Sequence, residues 1–481
     1  MNTATMDPKM SSWRRRVFAA TWLSYAGFYF CRKPFFIAKP ALSEELGWDP
    51  GVLAYIGTAY LLSYAIGQFL AGWAGDRWGP RVLLLGGMAV SIVANAGFGL
   101  SNSWGTFTAL MIINGLAQAT GWSGNVGSMA PWFRRSERGT VMGVWATNYQ
   151  VGGVLANTLA AWALYHYCNV QQSFFLGSVV LLGVWFFFLF NQRNRPEDVG
   201  LPPLEGDGDG GAGGDSDKWS KQVWTNVLLV GVFYFFVKFI RYSLWSWSPL
   251  LLNRDFGLDI DDAGYLSTIF DLAGIVGVIA AGWLSDKKFG GRRVLISFIF
   301  ILGMAASSLL LYSSSASQGN ANVDLHPQAE ADSAADDDSA ADDSAADDVL
   351  TREARDCHDD ETGSDEDHET NAQASLWSNH ALLMFAISIG LIGFFLYGPD
   401  ALMTGAAAIE VGSIRSATLA AGIINGMGAV GSVAQELMLG RLLKDGQGVS
   451  EVFGLLLLSS VGAVLALSVL LWRSSRGKAD L

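Results

Sequence analysis

Two arginines, Arg32 and Arg241, stand inside stretches that are otherwise apolar and aromatic. A guanidinium in mid-bilayer costs about 2.5–3.5 kcal/mol on insertion scales, so it must face a cavity, a partner or a ligand. The two share a context: Arg32 precedes Pro40 by eight residues, and Arg241 precedes Pro249 by eight. Arginines facing each other across a pseudo-two-fold axis repel unless an anion lies between them, and the guanidinium fork suits phosphate or carboxylate oxygens. Residue type and placement therefore predict an anionic substrate. For either arginine alone, the structural alternative is snorkelling to the interface or pairing with an intramembrane carboxylate.

A second feature recurs at nearly the same interval. Gly72-Trp-Ala-Gly-Asp76-Arg77-Trp-Gly-Pro-Arg81 is echoed by Gly282-Trp-Leu-Ser-Asp286-Lys287. The two aspartates lie 210 positions apart and the two arginines 209, which argues for duplication. Two parallel six-helix repeats meeting along a central substrate path are the architecture expected of such a chain. In the motif, Gly72 allows close helix contact, while Asp76, Arg77, Arg81 and Asp286 suit a breakable ion pair that switches conformation. A basic loop that fixes topology is the plainer reading, and both are expected to apply.

These residues need helices that cross a bilayer, and the composition supplies them. The 481 residues are 51% hydrophobic and only 16% charged, against about a quarter charged in soluble domains. Twelve apolar spans are expected near 15–38, 52–75, 81–101, 104–130, 140–166, 172–191, 223–251, 262–285, 292–313, 379–406, 416–443 and 450–472. Clusters such as Arg14–Arg16, Arg134/Arg135/Arg138, Arg193/Arg195 and Lys287/Lys288 all follow on one side. The positive-inside rule makes that side cytoplasmic, with both termini there. The first span is expected to act as an uncleaved anchor.

The expected organisation is a cytoplasmic N-terminus (1–13), an N-terminal bundle (14–192), a flexible Gly/Asp-rich linker (193–222), a C-terminal bundle (223–472) and a tail (473–481). The C-terminal bundle is interrupted by an acidic, solvated loop at 314–378, which holds most of the net charge of −13 and says nothing of the substrate. Cys31, Cys168 and Cys357 lack paired spacing, so neither a disulfide framework, a metal site nor a cofactor is expected. No basic stripe invites nucleic acid, and no nucleophile–base constellation suggests an enzyme.

The loop motif resembles the signature of the major facilitator superfamily. Within it, Tyr25-x-x-x-Tyr29-x-x-Arg32-Lys33, Arg241-Tyr242 with Trp247-Ser248-Pro249, the Asp271-Leu-Ala-Gly-Ile stretch and Tyr397-Gly398-Pro399 resemble the organophosphate:phosphate antiporter family. The resemblance covers nearly all the chain except its two hydrophilic loops. It implies an all-α membrane protein with two pseudo-symmetric six-helix bundles, and it makes Arg32 and Arg241 the phosphate ligands. Tyr25, Tyr29, Tyr64 and Tyr397 match tyrosines lining the path, and Asp271 stands where the family has a glutamate that pairs with basic residues.

Three positions depart from the family: Gln68 replaces a lysine, Lys238 replaces a tyrosine of the glycerol-3-phosphate transporter, and Tyr149 replaces a cavity histidine. These changes bear on the organic part of the substrate more than on the phosphate. Lys238 is open between ligand contact and partner of Asp271, Lys33 and Lys39 read as outer-leaflet anchors, and Glu410 as a solvated helix end. Asp400 and Glu436 are candidate polar contacts. The implied function is exchange of a phosphorylated metabolite for inorganic phosphate by a monomer in the cell membrane. A sensor of the same fold and a proton-coupled organic-anion symporter, titrating Asp271 or Asp400, are the alternatives.

Overall fold

The computed structural model describes residues 7–48, 50–167, 170–204, 219–256, 260–333, 380–412, 416–444 and 449–477. Residues 205–218 of the expected linker and 334–378 of the expected acidic loop lie outside the described residues, while 314–333, expected as loop, are helical. The N-terminal half contains α1 (Pro8–Tyr29), α2 (Lys33–Ile37), α3 (Lys39–Leu46), α4 (Pro50–Trp78), α5 (Pro80–Phe98), α6 (Trp104–Gln118), α7 (Thr120–Met129), α8 (Arg135–Trp145), α9 (Asn148–Tyr167) and α10 (Val170–Asn191). The C-terminal half contains α11 (Lys221–Phe256), α12 (Ile260–Lys287), α13 (Arg293–Ser333), α14 (His380–Ala401), α15 (Ala407–Gly412), α16 (Ala417–Lys444) and α17 (Val449–Ser475).

Among the described residues, nine segments are long and apolar enough to cross a bilayer. The other three expected spans, the first, fourth and fifth, are present as broken helices: α1/α2, α6/α7 and α8/α9. Each break has a local cause. Pro34 lacks an N–H and its ring crowds the carbonyl four residues back, so the helix cannot run through Arg32. Arg32 sits there at φ −112°, its N–H turned to Tyr29 O at 3.0 Å. At the fourth-span break the Thr120 hydroxyl bonds Ala117 O at 2.7 Å, and at the fifth the Thr147 hydroxyl bonds Val144 O at 2.8 Å. Such back-bonding by Thr bends helices.

The repeat is therefore not exact. In the second half the position two after the arginine is Ser243 rather than proline, and α11 runs unbroken through Arg241. In the tenth span the interior Pro399 is followed by a π-helical turn at Leu402–Ala406 between α14 and α15. Widened turns of this kind re-aim backbone groups. Here the Thr404 carbonyl accepts from Trp122 Nε1 of the other half at 3.2 Å.

The halves meet most closely near the ends that carry the basic loops. A Cβ added at Gly422 of α16 would stand 2.5 Å from Gly72 Cα, and one at Gly282 of α12 would stand 2.4 Å from Gly139 O in α8. Only glycine lets the backbones approach so closely. The motif glycine Gly72 is a point of close backbone approach between the halves. Val93, Phe190, Leu458 and Leu465 lie on the outside, exposed, as side chains that face lipid do.

Candidate functional site

Arg32, at the break in the first span, projects between α4 and the α6/α7 break. Its Nε donates to Gln118 Oε1 at 2.8 Å, and its guanidinium lies over the rings of Tyr29 (4.8 Å) and Tyr64 (5.2 Å). Gln118 is itself held, its Nε2 donating to Phe28 O at 3.0 Å and Ser91 Oγ at 3.2 Å. Ser91 in turn donates to Asn114 Oδ1 at 2.6 Å, and Asn114 Nδ2 to Cys31 O at 2.8 Å. This chain of amides and hydroxyls fixes the arginine's stem while its Nη2 stays buried without a hydrogen-bond partner. A buried charged donor left open suits an incoming anion.

Arg241 is held differently. Its Nη1 donates to Asp400 Oδ2 at 2.8 Å, and its guanidinium lies over Tyr149 (4.3 Å) and Tyr397 (4.8 Å). Those two rings stack on each other across the halves at 5.7 Å. The Tyr397 hydroxyl donates to Asp271, and Gln150 Nε2 donates to the Asp271 carbonyl at 3.2 Å. Lys238 is buried among Tyr64 (5.7 Å), Tyr234 (5.3 Å) and Tyr242 (5.7 Å). Two cations of the C-terminal half therefore rest on tyrosines of the other: Arg241 on Tyr149, Lys238 on Tyr64. Tyr29 stands within electrostatic reach of both Arg32 and Arg241.

The structure thus gathers Arg32, Tyr29, Tyr64, Lys238, Arg241, Tyr149, Tyr397 and Asp271 around one centre. Tyr25 supports them from behind, edge-on to Tyr29 (6.0 Å) and Trp122 (5.4 Å). Gln68, one turn beyond Tyr64 on α4, accepts from Asn425 Nδ2 across the halves at 2.9 Å. Several expectations change. Asp271 is engaged by Tyr397, and among the described residues it forms no ion pair with Lys238. Lys33 is no outer anchor: it is buried, with its Nζ 3.8 Å from the Trp245 ring of the other half.

Gln118, Tyr234 and Tyr60, whose hydroxyl donates to Gln118 Oε1 at 3.4 Å, were not singled out by sequence, and Tyr242 entered only as part of a family motif. A carboxamide inside an apolar fourth span was the available signal for Gln118. Among the described residues, no cluster of three or more His, Cys, Asp or Glu side chains could hold a metal ion.

The motif residues split in role. Asp286 pairs with Arg293 and accepts the Thr140 N–H of the other half at 2.6 Å. Arg293 also reaches Glu410 at 3.3 Å and the Arg135 carbonyl at 2.6 Å, so this cluster ties the halves at the basic end. Glu410, expected to be a solvated helix end, is instead buried between Arg293 and Arg135, the latter at 3.7 Å. Arg81 makes contacts inside its own half, donating to Gln192 O and Leu189 O, both at 2.6 Å. A cation suits the carbonyl end of a helix, here α10. Asp76 and Arg77 are exposed at the end of α4.

The Major Facilitator Superfamily profile matches residues 17–323, so fold and site define a protein of that superfamily. The outward-facing structure of the transporter FucP aligns with a TM-score of 0.65 at 10% identity, covering 96% of this chain and 99% of that one. A glycerol-3-phosphate transporter of Bacillus subtilis is 30% identical over 67% of this chain and 76% of its own length. A probable hexose phosphate transport protein of Chlamydia pneumoniae is 28% identical over 62% and 70%, and the membrane sensor protein UhpC of Salmonella typhimurium 29% over 63% and 71%. Within the superfamily, this chain belongs to the organophosphate:phosphate antiporter family. It is a multi-pass membrane protein.

Proposed function

We propose that the protein is a secondary active transporter that exchanges a phosphorylated small metabolite for inorganic phosphate by alternating access. The passenger is of the glycerol-3-phosphate, sugar phosphate or phosphoglycerate type. The observation that carries this reading is the pair of half-buried arginines at matching places in the two halves, each lying over two tyrosine rings. Around them, Lys33 and Lys238 add basic character against the carboxylates of Asp271 and Asp400. The excess of basic side chains suits a phosphate dianion. The relatives, named as transporters of hexose phosphate and glycerol-3-phosphate, support the class.

In the proposed cycle the phosphate group bridges Arg32 and Arg241, offsets their repulsion and draws the halves together. The ligand drives closure only through its greater affinity for the occluded state. The Gln118 network and the Tyr149–Tyr397 stack hold the two guanidinium groups ready. The Asp286–Arg293–Glu410 cluster must release when the basic end, cytoplasmic on the positive-inside reading, opens. No metal or cofactor takes part in this scheme.

Counterflow in proteoliposomes tests it. Labelled phosphate outside should accumulate against unlabelled phosphate or an accepted organophosphate inside, and Arg32→Ala or Arg241→Ala should abolish it with assembly intact. Near-normal exchange by either variant would sink the clamp. Tight organophosphate binding without flux would mark a sensor, as one relative is named.

A further inference from the structure

One of the two arginines of the site carries an anion supplied by the chain itself. Asp400 lies at the helical turn before the π segment, its carboxylate buried, with Oδ2 2.8 Å from Arg241 Nη1. Its other oxygen, Oδ1, is buried with no hydrogen-bond partner. Among the described residues the arginine of the N-terminal half has no such counter-charge: Arg32 bonds a neutral carboxamide, Gln118. The two halves of the clamp therefore differ, with one guanidinium open and the other occupied.

From this asymmetry, and resting on the phosphate reading above, we infer that Asp400 is a built-in competitor that occupies the anion position on Arg241 until phosphate displaces it. A fully satisfied structural ion pair would engage both carboxylate oxygens. Asp400 spends one oxygen on Arg241 and leaves the other without a donor, so its hold is incomplete. The Thr404 hydroxyl, one turn on, donates to the Asp400 backbone carbonyl at 2.6 Å rather than to its side chain. A bridging phosphate offers the guanidinium fork more oxygens than this single contact. The order of events is then defined: the ligand docks first on the open Nη2 of Arg32 and takes Arg241 from Asp400 second.

Two consequences follow. Competition weakens ligand affinity, because each binding event must break the ion pair. Neutralisation of Arg241 also lowers the repulsion that would otherwise hold an empty carrier open, so the empty carrier can reorient and some net flux accompanies exchange. The energy for both comes from the same contact.

The test measures inorganic phosphate binding to the purified full-length protein, and net efflux against exchange in proteoliposomes. D400N keeps the shape and removes the charge. It should bind phosphate about tenfold or more tightly, as expected when a charged hydrogen bond no longer competes, and its ratio of net efflux to exchange should fall. Unchanged or weaker phosphate binding by folded D400N overturns the inference and makes Asp400 a positioning group for Arg241, while the transport reading stands. Absence of phosphate binding by the wild-type protein overturns both.

If D400N does not fold, D400S carries the same expectation. In the unaltered protein with carbon-13 in its aspartate carboxyl groups, phosphate should shift an aspartate carboxylate band in the infrared. An unmoved aspartate region also overturns the inference.

Discussion

The Asp286 carboxylate in α12 accepts the backbone N–H of Thr140 in α8 at 2.6 Å, so the motif aspartate of one half fastens the other. The same carboxylate holds Arg293, which is fully buried. Removing one member of such a buried cluster costs about 3–5 kcal/mol when the remaining charge is stranded, and here Glu410 limits the loss. Asp286→Ala should loosen the basic end and slow exchange. Spin labels placed on the facing ends of α8 and α12 should report a longer distance. An unchanged distance distribution with normal exchange would remove Asp286 from the gate.

Backbone proximity gives a second lever at the same end. A valine at Gly422 would press on Gly72, whose Cα lies 2.5 Å from the added Cβ. Gly422→Val should therefore prevent close approach of α4 and α16. Thr418, buried beside Gly75 and Gly127 in this structure, offers a reporter. A cysteine at that position should react with maleimide several-fold faster in the Gly422→Val background. Equal reactivity in the two backgrounds would show that the helices absorb the valine without parting.

Gln118 should matter to phosphate although it is neutral. It accepts from Arg32 Nε at 2.8 Å and is locked by Phe28 and Ser91. Hydrogen bonds to charged groups are worth about 1.5–3 kcal/mol, so Gln118→Leu should weaken phosphate binding by about tenfold or more. Isothermal titration with inorganic phosphate measures this, alongside the thermal midpoint of the unliganded protein. A lowered midpoint with unchanged affinity would assign Gln118 to packing alone.

The sequence carried the fold and the identity of the two central arginines because both rest on simple costs. Apolar runs of bilayer length are helices, and a guanidinium among them needs a reason. The repeat interval then made Arg32 and Arg241 a pair. What sequence did not carry is how each arginine is held. Gln118 is remote from Arg32 in the chain, and only the packing of the first span against the α6/α7 break joins them. Lys238 and Asp271 share no short-range pattern either, and of the two roles left open for Lys238, pairing with Asp271 gives way to Tyr397 on Asp271. Pro34 was visible, yet its effect, a helix break at Arg32 with none at Arg241, emerges only in three dimensions. Glu410 read as a helix end, which it is, but the helix ends against Arg293 rather than water.

Tyr149 separates the phosphate from its organic passenger. Its ring carries Arg241 at 4.3 Å, while its hydroxyl is buried without a partner. The ring is a platform for a cation that binds phosphate; the hydroxyl is a group a substrate hydroxyl could satisfy. Tyr149→Phe keeps the platform and should leave inorganic phosphate binding nearly unchanged. The same variant should alter preference among organophosphates by about tenfold, the scale set by one buried polar contact. Tyr149→Leu removes the platform, and a desolvated cation–π contact of about 2 kcal/mol predicts roughly 30-fold weaker binding of every phosphate species. Competition of labelled phosphate by a panel of organophosphates reads both variants. A Tyr149→Phe protein that loses inorganic phosphate and organophosphate equally would place the hydroxyl on the phosphate itself, and the passenger's selectivity would then have to lie elsewhere along the path.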